Sequence, residues 1–243
     1  MRVAVISDIH ANGHALQTVL GAIAREGVDE LWCLGDTVGY GARPNECCAI
    51  VRDAVHVCLA GNHDLLALGL EVLEGDFNPD AGASGTWTKA ELDELSVDFL
   101  RTLKPEAHLE RAELFHASAR DPVWEYVLGG ESAIATLDLT EAPLVLVGHS
   151  HVPFAIVLID GDLSGSHAPA GTEIELGPGR LLCNPGSVGQ PRDGDARAAW
   201  LLVDFAAGLA SFRRETYDIQ ATQEEIRDAG LPLSLAARLG HGV

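Results

Sequence analysis

No apolar run in this chain is long enough to span a bilayer. Met1 leads straight into a strand-like run instead of a basic leader, so a soluble, cytoplasmic protein with no membrane partner is expected. Positive charge is scarce: 16 Lys and Arg stand against 36 Asp and Glu, a formal net charge of −20, with no long basic stretch. A broad nucleic-acid surface is thereby excluded, because duplex binding relies on clustered cations meeting phosphates. Paired cysteines are lacking too. Cys33, Cys47, Cys48, Cys58 and Cys183 are odd in number and show no C-x-x-C spacing. Three of them sit in apolar strand-like runs, where a free thiol behaves as a small hydrophobe, and a reducing compartment fits. There is no internal repeat and no dividing linker. Gly39-Tyr40-Gly41 is not a P-loop, since it lacks the spacing and the lysine.

What is present is enough apolar material, 47% of 243 residues, for one large α/β domain. The β-branched run at 3–6 reads as a buried strand, and Asn12 is placed to cap a helix over 13–26. Further strands are expected at 31–34, 55–59, 107–109, 113–115 and 144–147, with helices from Pro44 to residue 51 and over 130–139. Residues 65–103 read as mostly helical with a break near 75–79. Beyond 150 the pattern changes to short strands at 154–159, 172–176, 180–183, 198–203 and 210–214. Residues 161–171 read as a polar hairpin tip, and the tail from 221 ends in helical turns.

Five segments place polar residues of metal-ligand type just after a strand-like run: Asp8-x-His10, Gly35-Asp36, Gly61-Asn62-His63-Asp64, His116 and His149-x-His151. If the chain stays extended, Asp8 and His10 point to the same side. Each block alone reads as a turn or a surface histidine; together they form a metal site, because α/β proteins gather ligands outside the carboxyl ends of strands. Asp8, His10, Asp36, Asn62, His116, His149 and His151 are too many for one tetrahedral zinc and suit two divalent ions sharing a carboxylate. Such a centre stays positive after two aspartates and a hydroxide, so a phosphate can bind an acidic protein there. His63 is left over beside Asp64. An imidazole oriented by that carboxylate can protonate a leaving alkoxide, so His63 is the expected general acid and Asp64 its orienting partner. Tyr40 and Arg192 are weaker candidates for substrate contact. For Arg192 a salt bridge to Asp193 or Asp195 is the competing reading. His14, His56, His108, His167 and His241 need only structural roles.

In the order and content of these blocks the chain resembles the calcineurin-like metallophosphoesterases over about residues 1–215. Asn184-Pro-Gly-Ser187 and the segment through Arg192 are similar to the YfcE-like single-domain phosphodiesterases. The resemblance implies a four-layer αββα sandwich of two mixed sheets flanked by helices. It divides the chain into a metallophosphoesterase domain, 1–215, and a C-terminal helical extension, 216–243, packed on it. It also implies that Asp8, His10, Asp36 and His151 hold one ion and Asp36, Asn62, His116 and His149 the other, the ions being Mn, Fe, Ni or Zn. His116-Ala-Ser replaces the frequent His-Gly-Ser, and His14 stands where an apolar residue is usual. The expected activity is hydrolysis of small, nucleotide-sized phosphodiesters by in-line attack of a metal-bridging hydroxide. Phosphomonoester or protein-phosphatase activity is the alternative within the class, and a non-catalytic protein-binding scaffold the alternative outside it. A homo-oligomer is compatible with that branch.

Overall fold

The computed structural model describes residues 1–70 and 78–243. Its first half alternates strands and helices: β1 (Arg2–Ile6), α1 (Gly13–Glu26), β2 (Glu30–Cys33), α2 (Pro44–Ala54), β3 (Val57–Cys58) and α3 (Asn62–Ala67). Two helices follow, α4 (Pro79–Glu91) and α5 (Glu94–Thr102), then β4 (Glu106–His108), β5 (Ala112–Phe115), α6 (Gly130–Asp138) and β6 (Leu144–Val147). Strands in mostly antiparallel pairs fill the rest: β7 (Phe154–Ile159), β8 (Asp162–His167), β9 (Glu173–Glu175), β10 (Arg180–Asn184), β11 (Ala198–Asp204) and β12 (Leu209–Glu215). The chain closes with α7 (Ile219–Asp228) and α8 (Leu233–Leu239). Residues 71–77, which include part of the break expected near 75–79, lie outside the described residues.

The strands form two six-stranded mixed sheets, ordered β3-β2-β1-β11-β12-β9 and β4-β5-β6-β10-β7-β8. Period-two alternation decides how they pack. Val3 and Val5 of β1 face the second sheet and join Leu144 and Leu146 of β6 in the central core. Ala4 and Ile6 face the other way, against Leu16, Val19 and Ile23 of α1. On the far side, Val145 and Val147 pack on Ala133 and Leu137 of α6. Helix, sheet, sheet, helix is therefore the layer order, the αββα sandwich that the sequence implies.

Asn12 caps α1 as expected, its Oδ1 accepting from the Ala15 N–H at 3.1 Å. One expected element differs. Residues 162–167, expected in a polar hairpin tip, form β8, paired antiparallel with β7 from Phe154↔His167 to Ile159↔Asp162. As an edge strand with mostly exposed side chains, it has no apolar alternation to betray it.

The C-terminal helices belong to the same body. Ile226, Leu231, Leu235 and Leu239 bury against Tyr40 and Ala81. The Glu225 carboxylate of α7 accepts from Arg43 Nε at 2.8 Å and lies 3.0 Å from His14 Nε2, which gives His14 an anchoring role.

Candidate metal centre

Strands β1, β2 and β3 run parallel to one another, as do β5, β6 and β10, so their carboxyl ends open on one edge of the sandwich. Asp8, Asp36, Asn62, His116 and His149 each follow one of these strands, and all are buried. The loops turn sharply there. Asp8, His10, Asp36, His149 and His151 have φ between 50 and 63°, the left-handed region that side chains other than glycine's rarely adopt. Such strain clusters where a fold imposes a site geometry. Asp8 and His10 thus converge by two left-handed turns, correcting the expectation of an extended chain.

Glycines make the close approach possible. A Cβ on Gly61 would lie 2.0 Å from Asp36 Oδ1, and one on Gly148 would lie 2.1 Å from Ser7 Oγ. Asn184 and Ser187 brace the same loops: Asn184 Nδ2 donates to the Gly148 carbonyl at 2.6 Å, and Ser187 Oγ to the Asp8 carbonyl at 2.7 Å.

The donor atoms fall into two groups that share Asp36: Asp8, His10, Asp36 and His151, and Asp36, His116 and His149. Asp36 Oδ2 lies 3.6 Å from both His10 Nε2 and His116 Nε2. Asp8 Oδ1 is 3.4 Å from His151 Nε2. Asn62 Oδ1 is 3.1 Å from His116 Nε2, beside the second group. Ligands bound at about 2.1 Å to one ion sit roughly 3.0–3.5 Å from one another, so this spacing fits.

Hydrogen bonding fixes which ring nitrogens face inward. The Nδ1 atoms of His10, His116 and His151 lie 3.1, 2.8 and 2.6 Å from the carbonyls of Val38, Leu34 and Gln190. A carbonyl only accepts, so these nitrogens carry the proton and the Nε2 lone pairs face the site. His149 is reversed, with Nε2 against the Trp124 carbonyl at 3.2 Å and Nδ1 left for the site. The Nε2 atoms of His10 and His151 then meet at 3.0 Å, lone pair to lone pair. Among the described residues, Asp8 Oδ1 and Asp36 Oδ2 are buried without a hydrogen-bond donor. Acceptors converging without a donor are what a divalent cation would satisfy, and the residues fit one.

Without that charge, burial dominates the titration. Burial pushes Asp8 up to about 7, and burial with the neighbouring Asp64 carboxylate pushes Asp36 well above its usual range. Burial pushes His10 and His151 well down, and His149 to about 2.

Asp64 makes backbone contacts that the sequence does not signal. Its Oδ2 accepts from the Asp36 and Gly61 N–H groups at 2.9 Å each, and its Oδ1 from the Val38 N–H at 3.1 Å. The carboxylate ties together the loops that carry Asp36 and Asn62 and so positions them. The His63 ring packs on Tyr40 and His10, with centroids 4.3 and 4.9 Å apart. Burial, then the charge of Arg192, pushes its pKa well below the usual value.

Above the donors lies a cleft of about 280 Å³ lined by Tyr40, His63, Trp124, Tyr126, His149 and Arg192, among others. Tyr126 stacks on the His149 ring, with centroids 3.9 Å apart. Arg192 donates to Gln190 Oε1 at 2.9 Å and lies over the Tyr40 ring at 5.8 Å. The alternative pairing for Arg192 is not made, because Asp193 pairs with Arg214 and Asp195 with Arg197. Trp124 and Tyr126 were missed in the sequence, since their loop carries no motif.

The chain matches the calcineurin-like phosphoesterase superfamily domain over residues 1–207. An uncharacterised protein of Methanocaldococcus jannaschii is 36% identical over 242 residues, 98% of this chain and 96% of that protein. The crystal structure of a metallophosphoesterase from Sphaerobacter thermophilus superposes with a TM-score of 0.90 at 38% identity, covering 100% of this chain and 99% of that one. YfcE, a phosphoesterase from E. coli, is also among the structural neighbours, at a TM-score of 0.45 and 19% identity over 84% of this chain and 89% of that one, too distant to bear on substrate. Fold, donor cluster and sequence agree, and the chain belongs to the calcineurin-like phosphoesterase superfamily.

Proposed function

We propose that the protein is a dinuclear metal-dependent phosphodiesterase acting on small phosphodiesters of nucleotide size. Membership of the family supports phosphoric ester hydrolysis. The observation that carries the finer reading is the pair of donor groups sharing Asp36 beneath a small aromatic-rimmed cleft. Asp8, His10, Asp36 and His151 would hold one divalent ion, and Asp36, Asn62, His116 and His149 the other, with Mn, Fe, Ni and Zn all compatible with this nitrogen and oxygen set. When bound, the ions supply Lewis acidity and an activated water.

The chain's own residues do the rest. Arg192, whose buried Nε has no hydrogen-bond partner, offers a cation to the substrate phosphate. Tyr40 carries that guanidinium on its ring face. Buried as it is, His63 is neutral at rest. An entering phosphoester anion is the counter-charge that raises its proton affinity, after which it protonates the leaving oxygen. A cleft of about 280 Å³ admits a small molecule and excludes a polymer strand, which favours small diesters over phosphoproteins.

The test is direct. Protein loaded with Mn²⁺ is given bis(4-nitrophenyl) phosphate and 4-nitrophenyl phosphate in parallel, with the bound metal counted. Faster diester turnover with two ions per chain supports the reading. Monoester preference reverses the substrate order, and two bound ions without any turnover would leave a scaffold.

A further inference from the structure

A second guanidinium, that of Arg238, lines the same cleft as Arg192. It comes from the C-terminal extension. Leu235, Ala236 and Leu239 of α8 bury against Tyr40 and Ala81, which sets Arg238 at the cleft wall. Its Nε donates to the main-chain oxygen of Val243 at 2.5 Å. Among the described residues no Asp or Glu side chain forms an ion pair with either guanidinium, although the chain carries a net charge of −20. Asp80 is the carboxylate that most affects Arg238, and its Oδ2 already accepts from Ser234 Oγ at 2.5 Å. Among the described residues, the buried Nε of Arg192 also has no hydrogen-bond partner. Two cations facing one cavity, neither paired with an Asp or Glu side chain among the described residues, repel each other, and burial together with the Arg192 charge lowers the pKa of Arg238. An anion between them relieves that repulsion and satisfies their donors.

We propose that Arg192 and Arg238 form a second phosphate subsite, so that the preferred substrates are small phosphoesters carrying another phosphate group. The proposal rests on the phosphoesterase reading and specifies its substrate class. Hydrolysis forms a P–O bond from water at one phosphorus and breaks its ester P–O bond, the leaving oxygen taking a proton. The second phosphate is bound and left intact.

The experiment compares adenosine 3′,5′-bisphosphate with adenosine 3′-monophosphate. Each is measured as an inhibitor of bis(4-nitrophenyl) phosphate hydrolysis and, without turnover, by calorimetry on the Mn²⁺-loaded protein. The wild type is expected to favour the bisphosphate by about tenfold or more. Arg238→Gln should bring the ratio towards one, and Arg238→Lys, which keeps the charge, should retain much of it. A wild-type ratio near one overturns the proposal, as does a ratio that survives in Arg238→Gln. Should Arg238→Gln fail to fold, the wild-type ratio and Arg238→Lys still decide. Absence of reporter hydrolysis counts against the hydrolase reading alone, because calorimetry still reads the preference.

Discussion

Replacing Asp8 by asparagine is expected to stabilise the metal-free protein while weakening the loaded one. Asp8 is fully buried, and burial pushes its carboxyl from 3.8 up to about 7. An acid whose folded pKa is raised contributes its full stability below about 3.8, and that contribution is lost as the pH rises through about 7. At ~1.4 kcal/mol per pKa unit, the ionised group opposes folding by about 4 kcal/mol at pH 8, against about 1.5 kcal/mol at pH 5. Asparagine removes that charge and keeps the shape. Its Oδ1 can still accept the His149 N–H, which lies 3.2 Å from Asp8 Oδ2. Its amide nitrogen would stand where Asp8 Oδ1 faces His151 Nε2 at 3.4 Å and could donate to that lone pair. The backbone φ of 55° also suits asparagine. Thermal unfolding in chelator should show D8N melting above wild type on the order of 10 °C at pH 8 and only a few degrees at pH 5. With saturating Mn²⁺ at pH 8 the order should reverse, since the wild type gains the binding free energy of the ion. A metal-free D8N protein less stable than wild type at pH 8 would refute the reasoning.

Asp64→Asn should lower stability by about 2–4 kcal/mol and reduce bound metal, because an amide cannot accept three backbone N–H groups; unfolding curves and metal counts with wild-type values would count against it. Gly61→Ala should strip the site of metal, since its Cβ would meet Asp36 Oδ1 at 2.0 Å, and an unchanged metal content would contradict the packing described. His63→Ala should slow an alkyl diester by about 10²–10⁴ and an aryl diester far less, because only a poor leaving group needs the proton; equal losses on both would remove the acid role. Mn²⁺ affinity should tighten as the pH rises from 6 to 8, since uptake displaces the proton that Asp8 holds up to about 7. Calorimetry in two buffers of different ionisation heat reads that release, and a pH-independent affinity would argue against it.

The donor residues were legible because each follows a short apolar strand, and parallel strands deliver their loops to one edge. Asp36 and His116, which are 80 residues apart in the chain, could be placed together on that logic. The edge strand β8 was not legible, since its exposed, polar residues leave no periodic trace. Nor were the backbone contacts of Asp64, because it is α3 that turns its carboxylate back onto the Asp36 loop. Arg238 was invisible for a third reason. Nothing near it forms a motif, and only the burial of Leu235 and Leu239 against Tyr40 carries it to the cleft.

Asp8, His10 and Asp36 extend from the sheet containing β1 and β2, whereas His116, His149 and His151 extend from the sheet containing β5 and β6. Each donor group therefore draws on both sheets, with Asp36 common to the two. Loading an ion there would then be a mechanical event as well as a chemical one. It would clasp the open edge of the sandwich, and its release would let the sheets loosen there first. Amide exchange along the ends of β2 and β6 would report metal occupancy with no substrate present.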